Sequence, residues 1–135
     1  MRTHLEFVSD RFPPTEGEDD EINPGRYGKR LAEYIAAALK AHGFTVCAVD
    51  YEDWGVRIDI ENAEFPLWIG CGNYEEFENG FLCFIEPSKP YVRRWLKKIP
   101  TQHTVERVAS ALEAILKESD GVSGFRWWSA NEARP

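Results

Sequence analysis

Carboxylates are the most concentrated chemistry in this chain. Glu16, Glu18, Asp19, Asp20 and Glu21 fall within six residues, and Glu75, Glu76 and Glu78 form a second acidic stretch. Like charges at this density repel one another and hold a loop open to solvent, which suits contact with a basic partner. A different chemistry is offered by Asp53 in the turn Glu52-Asp53-Trp54-Gly55, where an aromatic neighbour can fix a carboxylate. Cys71 stands in Ile69-Gly70-Cys71-Gly72-Asn73, and flanking glycines can expose a thiol together with backbone N–H groups. The same glycines equally let a small residue pack tightly within a strand. Asp53, Trp54 and Cys71 therefore define an alternative ligand or catalytic site. The helix start at Asn23–Gly28 would offer N–H groups to an anion beside it.

Other chemistries find less material. His4, His42 and His103 are scattered, and no finger spacing or helical histidine pair occurs. The 16–21 run lacks the alternating ligands and distal glutamate of a calcium loop. Neither a metal nor a cofactor is expected. No serine sits in an elbow-type Gly-x-Ser-x-Gly context. Lys89, Arg93, Arg94, Lys97 and Lys98 interleave with Tyr91 and Trp95, a mixture that can stack on bases. A net charge of −7 opposes a phosphate chain, so that basic stretch is read as neutralising the acidic body or closing a dimer. The charge is uneven: residues 1–86 balance to −11 and residues 87–135 to +4.

The 135 residues, 43% hydrophobic, suit one domain, 1–135, with a core of its own. No apolar run approaches the length of a membrane helix, and the N-terminus lacks the apolar core of a secretory signal. Cys47, Cys71 and Cys83, an odd count in apolar strand-like settings, read as three buried thiols in a reducing cytoplasm.

The elements that must position these groups follow from periodicity. His4–Val8 reads as a strand ended by Pro13-Pro14. Asn23 can cap a helix with Pro24 at its first position and an apolar face of Tyr27, Leu31, Tyr34, Ile35, Ala38 and Leu39, closed by Gly43. Residues 44–51, 56–61, 66–71 and 80–85 read as a four-strand meander. Residues 88–96 read as a short helix ended before Pro100. A long helix over Thr101–Ser119 carries Val105, Val108, Leu112, Ile115 and Leu116, and a final strand spans Phe125–Trp128, with Trp127 and Trp128 on opposite sides. One of those two, with Trp68 or Trp95, could line an apolar groove. The sum is an α+β fold: a mostly antiparallel sheet of five to six strands with two main helices.

Asn23-Pro24-Gly25-x-x-Gly28-x-x-Leu31, followed by Glu52-Asp53-Trp54-Gly55, resembles a pattern found in small bacterial proteins of uncharacterised function. The likeness covers about the first half of the chain, with Ile69-Gly70-Cys71-Gly72 a third block and Val56 where a second tryptophan often follows. It implies a small standalone domain and no particular chemistry. The expected function is protein binding of the immunity or inhibitor type. Glu16, Glu18, Asp19, Asp20, Glu21, Glu75, Glu76 and Glu78 would carry it with Trp54 as anchor, against a basic partner and without membrane or nucleic acid.

Overall fold

The computed structural model describes residues 1–18, 26–74 and 78–130. Asp19, Asp20, Glu21, Asn23, Glu75 and Glu76 lie outside the described residues. Strand β1 (His4–Ser9) is followed by helix α1 (Lys29–Leu39), then by β2 (Val46–Glu52), β3 (Gly55–Ile60), β4 (Leu67–Asn73) and β5 (Gly80–Glu86). Strands β6 (Tyr91–Arg94) and β7 (Lys97–Pro100) come next, then helix α2 (Gln102–Glu118) and strand β8 (Val122–Trp128). Six strands form one sheet in the order β2-β3-β4-β5-β1-β8, and β6 with β7 forms a separate ribbon. Every pairing is antiparallel. The chain has the expected α+β architecture, and β2 to β5 run as the meander that alternation predicts.

Alternation explains why the sheet has two unlike faces. Leu5 and Phe7 of β1, Val56, Ile58 and Ile60 of β3, Leu67, Ile69 and Cys71 of β4, and Phe81, Cys83 and Ile85 of β5 are buried. These point at the helices. Leu31, Ala32, Ile35 and Leu39 of α1 meet them, with Val105, Val108, Leu112, Ile115 and Leu116 of α2. Each buried Leu or Ile contributes about 1.5–3 kcal/mol relative to exposure. Outside the core, Arg2 joins β1 to α2 through Glu106 at 3.2 Å and Glu113 at 3.4 Å. Among the described residues no helix is long and apolar enough to cross a membrane.

The structure corrects several expectations. Residues 91–100 form a β-hairpin rather than a short helix. Tyr91 pairs with Pro100 and Val92 with Ile99, while Trp95 turns the chain with φ 60°. Val92 and Ile99 pack on the core from one side of the ribbon, a contact that β-branched residues make well in strands. Cys47 is exposed, whereas Cys71 and Cys83 are buried as expected. The register of β2 slips between Val46 and Ala48, leaving Cys47 at a bulge on the sheet's edge. A further correction concerns Glu18 and bears on the site.

Candidate functional site

Glu18, expected on an exposed acidic surface, is fully buried, while its neighbour Glu16 is exposed. One carboxylate oxygen accepts from the Gly28 N–H at 2.6 Å and the Lys29 N–H at 2.8 Å. The other accepts from the Thr15 N–H at 2.9 Å and the Thr15 hydroxyl at 3.1 Å. The first pair lies at the start of α1, where unsatisfied N–H groups and the helix dipole both favour an anion. Burial pushes the Glu18 pKa up, but the hydrogen bonds from Thr15, Lys29 and Gly28 outweigh it and hold the carboxyl below its ordinary value. So Glu18 caps a helix from ten residues upstream and is spent on structure. The helix expected to start at Pro24 under an Asn23 cap instead begins at Lys29 with Gly28 at its N-cap position, so Tyr27 precedes it; Asn23 itself lies outside the described residues.

Gly28 and Gly55 of the sequence pattern meet at one point. A Cβ on Gly28 would stand 2.8 Å from the Cys71 carbonyl oxygen, and one on Gly55 would stand 2.2 Å from the same atom. All three sequence blocks of the resemblance therefore converge around the Cys71 carbonyl, and close backbone packing explains their glycines. The alternative site of Asp53, Trp54 and Cys71 is split by this arrangement. The Cys71 side chain is buried on the helix side of the sheet, with its Sγ 3.9 Å from Cys83 Sγ. Burial and the adjoining Cys71 thiol push the Cys83 thiol well above its ordinary value. Cys71, 0% exposed on the helix side, is out of reach of any substrate held by Asp53 or Trp54. Asp53 is exposed in the β2–β3 turn, and Trp54 turns to the opposite side of the sheet.

That opposite side carries the most unusual chemistry of the fold. No described helix packs on it, and solvated sheet faces are ordinarily polar. Here Trp54 stands 5.1 Å from Phe84 and 5.9 Å from Trp68, ring centre to ring centre. Trp68 meets Phe84 edge-on at 5.5 Å. His4 stacks on Phe84 at 5.8 Å and on Trp128 at 5.5 Å, which extends the aromatic row across β4, β5, β1 and β8. Arg57 lies over Trp68 at 4.3 Å, fixed by Asp59 at 2.9 Å. Burial between the rings lowers the His4 pKa, with Glu86 opposing the shift.

Gly70 makes this row possible. A Cβ there would stand 2.3 Å from the Phe84 ring, so the ring lies flat across bare backbone. Beyond it, Arg26, Trp54, Gly72, Asn73, Tyr74, Leu82 and Phe84 line a cleft of about 280 Å³. Asn73 closes the floor by accepting from the Tyr27 N–H at 3.0 Å. Burial, with the charges of Glu18 and Glu78, raises the Tyr27 pKa. Among the described residues, no three His, Cys, Asp or Glu side chains converge in a metal-binding arrangement.

Of the expected contact residues, Trp54 is in the cleft wall, Glu16 and Glu78 are exposed, and Glu18 is withdrawn. Trp68 lines an apolar surface as the sequence suggests, and Phe84, Leu82 and His4 join it. Their signal is present in the sequence as aromatic and apolar residues at the outward positions of strands β1, β4 and β5, where alternation calls for polar ones. Comparison with known proteins finds no matching family model, no matching curated protein and no matching solved structure.

Proposed function

We propose that this chain is a cytoplasmic, non-enzymatic protein-binding domain of the immunity or inhibitor type, and that the aromatic face of its sheet is the contact surface. The observation that carries this reading is the Trp54–Trp68–Phe84 cluster on a face that no described helix covers. Tryptophan and arginine dominate the binding energy of protein interfaces, and here Arg57 is already ordered on Trp68. The size of this cleft suits a partner's side chain better than an engulfed small molecule. A volume of about 280 Å³ falls below the ~300–1,000 Å³ of pockets that engulf a ligand, but it accepts one or two side chains of a partner.

Charge favours a basic partner. The strand register places Glu6, Asp50, Glu52, Asp59 and Glu86 on this face against Arg57 and Arg126, with Arg26 a third cation in the cleft wall. The exposed Glu16 and Glu78 add to the negative field. Such complementarity steers association more than it adds affinity, so the aromatic cluster supplies the hold and the carboxylates the approach. Site-specific photo-crosslinking in the source organism tests this. A benzophenone side chain at Leu82, in the cleft, should give a discrete protein adduct that the same group at Glu118, exposed on α2, does not give. An adduct from Glu118 and none from Leu82 would move the contact surface to the helices.

A further inference from the structure

The β6–β7 hairpin ends in two of the most exposed apolar side chains of the described chain: Trp95 and Leu96 are each 95% exposed. They occupy the two-residue turn, and Trp95 adopts φ 60°, a conformation that side chains other than glycine rarely take. Four cations flank them immediately, two on each strand. Arg94 pairs directly with Lys97, and Arg93 with Lys98. Like charges directly opposite on a ribbon are destabilising. Alternation puts the Arg94–Lys97 pair on one side of the ribbon and the Arg93–Lys98 pair on the other. The apolar tip is thus ringed by positive charge on both sides. All four cations are exposed, with Arg94 also reaching the Ala63 carbonyl at 3.5 Å and Lys98 lying over Tyr91 at 4.4 Å.

We propose that this tip docks end-on into the interface of an anionic lipid bilayer. The chain as a whole carries −7, but residues 87–135 balance to +4, and an end-on approach brings only the ribbon tip to the surface. Charge on both its sides fits a surface that surrounds the tip, as lipid headgroups do. A nucleic-acid strand would lie along one side and leave the other pair of cations uncompensated. Tryptophan is the side chain most suited to the headgroup boundary, and Leu96 beside it enters the acyl region. Four lysine or arginine residues supply the second signal that stable peripheral attachment requires. This is attachment at a membrane surface, distinct from the absence of a spanning helix among the described residues. The inference uses none of the residues of the aromatic face.

Co-sedimentation of the full chain with phosphatidylcholine vesicles, with and without one-third phosphatidylglycerol, tests the idea. Retention on the anionic vesicles alone, weakened by salt, is expected. The pair Trp95→Ser/Leu96→Ser should lower partitioning at least about tenfold. The pair Lys97→Gln/Lys98→Gln should lower it about 30-fold, at roughly fivefold for each charge. Both pairs alter exposed positions, and unchanged circular dichroism confirms the fold. Trp54→Ala/Trp68→Ala should leave vesicle binding intact, which separates this proposal from the one above. The proposal is overturned by no retention on anionic vesicles, or by retention that neither pair weakens. Tighter binding of a single-stranded oligonucleotide through the same residues, or self-association abolished by Trp95→Ser/Leu96→Ser, also overturns it.

Discussion

Replacing Glu18 with glutamine should destabilise the fold by about 2–4 kcal/mol, an effect that its place in a run of carboxylates would not suggest. Two oxygens of Glu18 serve two separate pairs of donors, Gly28 and Lys29 on one side and the two Thr15 groups on the other. Glutamine keeps one oxygen and presents an NH₂ group to the other pair, so two charge-assisted hydrogen bonds become donor–donor contacts. Hydrogen bonds to charged groups contribute about 1.5–3 kcal/mol each, and partial relaxation brings the sum to the lower figure. For a chain of this length about 3–4 °C of melting temperature corresponds to each kcal/mol, so Glu18→Gln should melt about 7–15 °C below the parent. Glu16→Gln, at an exposed position in the same run, should melt within about 2 °C of it.

The pH dependence adds a second check on Glu18. Its folded pKa is depressed, so its contribution is present above the unfolded glutamate value of about 4.3 and is lost as pH falls through the folded value. The gap between parent and Glu18→Gln should therefore be full at neutral pH and close in acid. Thermal melts by circular dichroism from neutral to acid pH read both effects. A loss below about 1 kcal/mol at neutral pH, or an equal loss for Glu16→Gln, would refute the capping role.

Other expectations test the packing beneath the site. Gly70→Ala should displace the Phe84 ring, cost about 1–3 kcal/mol and change the near-ultraviolet circular dichroism of the neighbouring tryptophans, since the new methyl group would stand 2.3 Å from the ring. A normal melt with an unchanged aromatic signal would show that the ring does not rest on bare backbone. Thiol labelling of native protein should modify Cys47 quickly and reach Cys71 and Cys83 only on unfolding. Mass spectrometry after a short pulse distinguishes the three, and early labelling of Cys71 would contradict its placement in the core.

The sequence made most of the fold legible because strand alternation and helical periodicity are local signals. The meander from β2 to β5 and the long helix α2 fall close to where those periods place them. The β6–β7 hairpin was hidden because Tyr91, Val92, Trp95 and Leu96 also satisfy helical spacing. What decides for a hairpin is the pairing of Val92 with Ile99 and the positive φ of Trp95, and neither is a property of a short window. The fate of Glu18 was hidden for a similar reason. Its partners at Gly28 and Lys29 are remote in sequence, beyond the reach of a local capping box. Trp54 was visible as an anchor, but its partners Trp68 and Phe84 come from β4 and β5 and are joined to it only by the register of the sheet.

The central claim is that the aromatic face, and not the acidic loops, holds the partner. The affinity of the protein captured through Leu82 tests it most directly, measured against Trp54→Ala/Trp68→Ala and against charge reversal at Glu16 and Glu78. The aromatic pair should weaken binding at least about 30-fold, as loss of interface anchors does, while the reversals mainly slow association and do so less as salt rises. Unchanged affinity for the aromatic pair, with binding abolished by the reversals, would contradict the account and return the contact surface to the carboxylates.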